Sequence, residues 1–472
     1  MALNSLANWR PSAFPALALV CASLGFSLTG AANAQDWSYK EAAKPFAGTS
    51  IRVLDEITPL QETMKTLVPK FIEETGIQVE YELLNHFEVI NKGQADMLSR
   101  RGYYDAVMLH GVQMGQMLAA NVIEPIDTYV ANPALFNPAL NLDDLIQLPF
   151  ESLVKFQGNT YGFLNWNYNM IYWARNDLLT HPDEMAAFEA KYGYPLAPAK
   201  TTQEFLDIGE FFTRKAGEKL AGEALKTDFY GVLHEGITGG ATLVSVWENM
   251  LKNFGGGLFD ANGAPAFDSP ENIAALSFWA KMWAFSPPGQ AEYSLVDVPT
   301  VMGNGIAAQA IAYSDFVLGV DKPGSSPLAG KFTYAGIPTN PDFSGPRSAG
   351  SEPSGIVINK ASKNKEATYL FMQWMIEEST QKMLIEAGKG GVPIRRSSFA
   401  LPELGGAKSD FYAAMKNTLE VAVAKPKVPK MFEIYDALGP IVQEVGLGRM
   451  TPEEAAKDGQ AKMLKICEKC TL

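Results

Sequence analysis

The order of apolar periodicities in this 472-residue chain predicts an α/β fold, with largely parallel sheets covered by helices. Three observations carry that expectation. Strand and helix patterns alternate as βαβαβ from Ile51 to Leu109, the alternation returns from Ile356 to Ala387, and no stretch after the N-terminus is long and apolar enough for a membrane span.

The first 34 residues differ in kind from the rest: one charge (Arg10), an apolar run from Ala13 to Leu28, then Ala32-Asn33-Ala34. That pattern predicts a secretory signal peptide cleaved after Ala34, hence export to the periplasm. A membrane anchor is the competing reading, but Pro11, Pro15 and Gly25 interrupt a run shorter than the roughly 20 apolar residues a span needs. Ala18-Leu19-Val20 before Cys21 lacks the small residue that ends a lipobox. Removing 34 of the 472 residues leaves 438 and takes one Arg but no acid, so the net charge moves from −13 to −14. A chain of that length usually holds two or three domains, and its negative charge argues against nucleic acid or anionic lipid as partner.

Ile51 to Asp55 reads as a short strand, and Leu60, Met64, Leu67, Val68, Phe71 and Ile72 recur at helical spacing until Gly76. Ile77, Val79, Tyr81 and Leu83 then alternate with polar residues as a strand, Phe87 to Leu98 is helical, and Tyr104 to Leu109 is a third strand. Ligands of such sheets bind beyond the carboxyl ends of the strands, which singles out the loops at Asp55-Glu56 and His110-Gly111. Between Gln157 and Leu178 aromatics and amides stand side by side, the composition of a wet cleft wall. Helical patterns follow over Thr202 to Ala221, Val244 to Phe254 and, opened by Ser269-Pro270, Glu271 to Phe285. Trp279 and Trp283, four apart, face the core. Pro and Gly cluster from Gly336 to Gly355 as a linker, before a strand at Ile356 to Ile358, a helix from Lys365 to Ala387 and a loop from Gly388 to Arg396.

Only Cys467 and Cys470 survive signal removal, at the extreme C-terminus. In an exported protein they could form a local disulfide; a redox C-x-x-C is expected to open a helix instead. With no other Cys and four His, neither a metal site nor a cofactor is expected.

Several segments, in order, carry a resemblance to a known family: Phe71 to Val79, Tyr104-Asp105-Ala106-Val107, Tyr161-Gly162-Phe163 followed by Tyr172 to Leu179, Gly303 to Ala308, Ile356 to Lys360, Pro393-Ile394-Arg395 and Gly448 to Ala455. The chain resembles the extracellular solute-binding proteins of the maltose-binding type, family 1, which serve ABC importers. The resemblance implies a two-lobe periplasmic-binding-protein fold (type II), with a mostly parallel sheet in each lobe, acting as a monomer that passes its solute to permease subunits in the inner membrane. It implies residues 35–163 and 337–395 as the first lobe and 164–336 and 396–472 as the second, crossing near Phe163, Ile337 and Arg395. Hinge closure then captures a ligand through contacts that exist only in the closed state.

A sugar or polyol needs aromatic platforms flanked by amides, carboxylates and hydroxyls. From the first lobe the candidates are Asp55, Glu56, His110 and Gln113, each with helix capping or a solvated loop as its plainer role. Trp166, Asn167 and Tyr168, with Asn165, stand past the first crossing, where hinge packing is the alternative. Trp247, Tyr313, Asp315, Tyr435 and Asp436 sit where the resembled family offers contacts, although aromatic positions are more often core. Ser351 and Glu352 precede the strand at Ile356, and Arg395 is assigned to structure. Val112-Gln113 replaces the Asp-Arg pair of the maltose pattern, which steers the expectation from maltodextrin toward a smaller sugar or polyol.

Competing functions find less support. A glycoside hydrolase needs two carboxylates placed across a bond, which sequence does not locate. There is no G-x-S-x-G, and His234-Glu235 lacks a second zinc-motif His. The calcium-loop count starting at Asp260 fails at Ala264 and Pro265, leaving an Asn262-Gly263 turn. Among other solutes, iron would lean on tyrosine pairs, and oligopeptide has no specific feature here; polyamine stays open because acids plus aromatics suit a cation.

Overall fold

The computed structural model describes residues 37–239, 242–344, 352–388 and 390–472. The signal peptide, its cleavage point after Ala34 and the candidate Ser351 lie outside the described residues. No helix among the described residues is long and apolar enough to cross a membrane.

The N-terminal series forms as its periodicity predicts. Strand β1 (Ser50–Glu56) leads into helix α1 (Pro59–Thr75), whose start is fixed by the Thr58 hydroxyl accepting the Gln61 amide and by Pro59 in the first turn. Gly76 ends it at φ 73°, a left-handed conformation that a side chain would strain. The helix buries Met64, Leu67, Val68 and Phe71, each contributing about 1.5–3 kcal/mol. Phe71 meets Phe371 edge-on, with ring centroids 5.1 Å apart. Strand β2 (Gln78–Leu84), helix α2 (His86–Ser99) and strand β3 (Ala106–His110) follow, with β1 parallel to both β2 and β3.

The first sheet runs β2-β1-β3 and then takes in strands from far along the chain. These are β4 (Ile123–Glu124), β5 (Phe163–Trp166) and β10 (Ser354–Asn359), with β10 antiparallel to β3, β4 and β5. The second sheet holds β6 (Met170–Arg175), β7 (Tyr230–Leu233), β8 (Ala307–Tyr313) and β9 (Phe332–Ala335), in the order β7-β8-β6-β9. Only β7 and β8 pair in parallel there, so this sheet is mixed rather than mostly parallel. The reason is connectivity: β6 enters its sheet directly from β5 of the first one, without the helical crossover that fixes parallel direction.

Two helices are shorter than their periodicity suggests. The segment predicted helical over Thr202 to Ala221 stops at Phe212, because Thr213 is extended and Arg214 exchanges backbone bonds with Phe229 at 2.9 and 2.8 Å. Gly217 precedes a small hairpin beyond it and Gly222 lies in that hairpin's turn, both at positive φ. The helix expected over Lys365 to Ala387 divides into α3 (Lys365–Ile376) and α4 (Glu378–Gly388), with Glu377 extended between them. Gln381 donates to the Met375 carbonyl and Arg395 to that of Ile376, satisfying the groups the break releases. At the C-terminus Cys467 and Cys470 are joined as a disulfide.

Trp279 and Trp283 are core residues and grip His234, with ring centroids 4.6 and 5.0 Å from it. The imidazole is fully buried, and its Nδ1 donates to the Glu235 carbonyl at 2.6 Å. Burial lowers its pKa to about 3. The unfolded chain binds a proton near pH 6.5 while the native state stays neutral until about pH 3, so stability falls as pH drops through that window. Between pH 7 and 5 this residue alone is expected to remove about 2 kcal/mol. Urea unfolding at the two pH values should show a difference smaller by that amount in His234→Phe.

Candidate ligand-binding cleft

Three side chains meet because three neighbouring strands end at the same edge. Glu56 is the last residue of β1, His110 the last of β3, and His86 opens the helix just after β2. His110 Nε2 donates to Glu56 Oε2 at 2.7 Å, and His86 Nδ1 lies 3.2 Å from Oε1. Burial would raise the Glu56 carboxyl, but the two imidazoles overcome it and hold the pKa near 2. Behind it Asp55 is fully buried, accepting from Tyr81 at 2.6 Å and Asn165 at 2.8 Å; burial nonetheless pushes its pKa up to about 7.

Strand β10 ties this edge to the aromatics. Ser354 lies opposite His110 on one side and Trp166 on the other, and its hydroxyl and that of Tyr168 each lie 3.1 Å from His110 Nδ1. A hydroxyl donating to the one lone pair of Nδ1 fits the tautomer with the proton on Nε2, facing Glu56. Trp166 and Tyr168 stand 5.5 Å apart by centroid, and Tyr313, from the carboxyl end of β8, meets Tyr168 at 5.3 Å. Asp315 follows in the next turn, its pKa raised to about 7 by burial. The Glu352 amide donates to the Tyr168 carbonyl at 3.1 Å.

Seven sequence-predicted residues therefore line one cavity: Glu56, His110, Trp166, Tyr168, Tyr313, Asp315 and Glu352. Room inside for the centres of water-sized spheres is about 60 Å³. Trp166 Nε1 and Asp315 Oδ1 are buried there with no hydrogen-bond partner among the described residues.

The other candidates sit elsewhere. Asp55 supports the strand end from below, and Gln113 caps the helix Gly111–Ala119 by accepting the His110 amide at 2.9 Å. Asn167 is fully buried with its amide unpartnered, and Trp247 is packed on Phe267. Tyr435 donates to Glu248 at 2.5 Å inside the protein, whereas Asp436 is exposed.

His86, Ile90, Val112, Ser245, Leu295 and Phe316 complete the lining and were not singled out from sequence. His86 had a usable signal: the rule that pointed to the loops after β1 and β3 applies equally to the one after β2.

With this geometry in view, the profile of the bacterial extracellular solute-binding proteins matches residues 55–382, and the chain belongs to that family. Its architecture is the two-lobe, type II fold of periplasmic binding proteins. It is 26% identical, over 93% of its length and 94% of the relative's, to a probable amino-acid ABC transporter periplasmic-binding protein of Sinorhizobium fredii. An erythritol/L-threitol-binding protein of Mycolicibacterium smegmatis is 21% identical, over 75% of this chain and 72% of that one. A solute-binding protein of Agrobacterium radiobacter K84, solved with ribitol, superposes with a TM-score of 0.74 at 24% identity, over 90% of this chain and 100% of the other.

Proposed function

We propose that this chain captures a short polyol or a single sugar in the cleft around Trp166 and delivers it to the permease of an ABC importer. The observation that carries the reading is the lining itself. Trp166, Tyr168 and Tyr313 offer faces for C–H groups, while Glu56, Asp315 and Glu352 offer acceptors for hydroxyls. Trp166 Nε1 and Asp315 Oδ1 await partners that a hydroxyl can supply, one as acceptor and one as donor.

No Lys or Arg lines the cavity among the described residues, which disfavours the α-carboxylate of an amino acid. The nearby Lys425 is committed to Glu248 and Glu352. The small space inside the cavity, about 60 Å³ for the centres of water-sized spheres, suits a short polyol or a single sugar better than a maltodextrin. The polyols named for two relatives agree with that size.

In this reading the protein is exported to the periplasm, cleaved after Ala34, and works as a monomeric binder rather than an enzyme. The lobes comprise 35–163 with 337–395 and 164–336 with 396–472, and rotate about the crossings between them.

A thermal-shift panel of tetritols, pentitols, hexitols, monosaccharides, maltose, amino acids and polyamines tests the assignment. Short polyols or monosaccharides are expected to raise the melting temperature, since a ligand at 100 times its Kd adds about 2.7 kcal/mol. Stabilisation by amino acids alone, or by polyamines alone, would overturn it.

A further inference from the structure

The Glu56–His86–His110 cluster does more than line a sugar cleft. We propose that it is a binding site for one divalent transition-metal ion of borderline softness, for which zinc(II) is the reference. The donor atoms these residues offer all lie within 4.8 Å of one another. Two imidazoles and one carboxylate form the donor set of open zinc sites and of facial-triad metal sites, which leave a position for an outside ligand. In a tetrahedral site with metal–ligand bonds of ~2.0–2.1 Å, neighbouring donors stand about 3.3 Å apart. Measured from one carboxylate oxygen, Glu56 Oε2, the separation of 3.3 Å to His86 Nδ1 matches this, and the 2.7 Å to His110 Nε2 needs a shift of about half an ångström.

The surroundings of His110 supply an independent argument. Its Nδ1 lies 3.1 Å from both the Tyr168 and Ser354 hydroxyls, so the ring is held with Nε2 toward Glu56. Metal-binding histidines are oriented in this way by a partner on the far nitrogen. On coordination His110 changes tautomer: the Nε2 proton leaves to solvent while Nδ1 takes one up from solvent, so the Nε2 lone pair goes to the metal and Nδ1 donates to a hydroxyl oxygen, with no net change in the protons on the ring. All three residues line the cavity, where Asp315 Oδ1 is buried without a hydrogen-bond partner among the described residues. Two of the chain's four histidines converge here; the others, His181 and His234, lie outside the cavity lining.

The test uses untagged mature protein, stripped with chelator and free of solute, titrated calorimetrically with zinc chloride. Cobalt(II) absorption reports the ligand set. One ion per chain is expected. His86 is part-exposed at the start of α2, so His86→Ala should keep the fold and weaken binding by about tenfold or more, while His181→Ala leaves it unchanged. Absence of binding by the folded wild type, or binding that His86→Ala does not weaken, would overturn the site. Because no solute is present, the outcome is read separately from that of the polyol panel.

Discussion

Replacing Lys425 with methionine is expected to cost about 3–5 kcal/mol of folding stability, the range for stranding buried charges by removing their partner. Its ammonium lies 2.7 Å from Glu352 and 3.0 Å from Glu248, and all three side chains are only 6% exposed. Tyr435 donates a further bond to Glu248, and its ring lies 5.1 Å from the ammonium. Burial alone would lower the lysine pKa, but the two carboxylates outweigh it and hold the group well above its ordinary value. Burial likewise opposes the Glu248 carboxylate, which Lys425 and Lys252 bring below its usual range.

Without the ammonium, two buried carboxylates lose the cation bonded to both and keep only the field of Lys252 on Glu248, so one of them is expected to take up a proton. A group whose folded pKa is raised in this way favours the native state less as pH rises, so the deficit of Lys425→Met should shrink as the buffer is made more acidic. Urea unfolding checks both points. The triple variant Lys425→Met, Glu248→Gln, Glu352→Gln should recover most of the loss, because it removes the charges together and the effects do not add. A single-variant loss below about 1 kcal/mol would mean the pair is screened and the ledger of this cluster is wrong. Glu352 also lines the cleft, so the single variant is expected to weaken solute binding too.

The legibility of this molecule from its sequence follows the range of the forces involved. Strands β1 to β3 and their helices were readable because Leu67, Phe71, Val79 and Tyr81 encode local periodicity, and Gly76 encodes a left-handed stop. The carboxyl-end rule then located Glu56 and His110 before any partner was known. It would have found His86 had it been applied to β2. The Trp166-Tyr168 segment was visible as composition, since aromatics beside amides rarely build a core.

What could not be read were identities of distant partners. Tyr435 and Trp247 are aromatic in sequence whether they face a ligand or, as here, Glu248 and Phe267. Lys425 carries no local pattern that announces two buried carboxylates. The division at Glu377 was hidden because Lys365 to Ala387 keeps helical periodicity across it, and the break is fixed by bonds from Gln381 and Arg395.

Arg395 is the second residue whose loss should be severe, and lysine is not expected to replace it. Its side chain is fully buried, and its guanidinium donates in several directions: Nε to the Ile376 carbonyl at 2.7 Å, one terminal nitrogen to Leu140 at 2.7 Å, and the other to Asn141 at 3.1 Å and Asp144 at 3.2 Å. Neighbouring backbone joins the same clamp, with the Ile146 amide donating to Ile394 and the Arg396 amide to Asp144. Asp144 also accepts from the Ser397 amide and hydroxyl at 2.9 and 2.6 Å. The residue thus fastens the end of α3 to the 140–146 segment, and only a planar fork reaches all these acceptors at once.

Arg395→Lys keeps the charge but leaves at least one or two buried carbonyls without a donor, at about 1–3 kcal/mol each. Arg395→Met also strands Asp144, and a total loss of about 3–5 kcal/mol is expected. Urea unfolding gives the totals, and amide hydrogen exchange gives their location: protection should fall first at the end of α3 and over 140–146. Near-native stability of the lysine variant would show that a single ammonium satisfies the cluster, and that the fork geometry is dispensable.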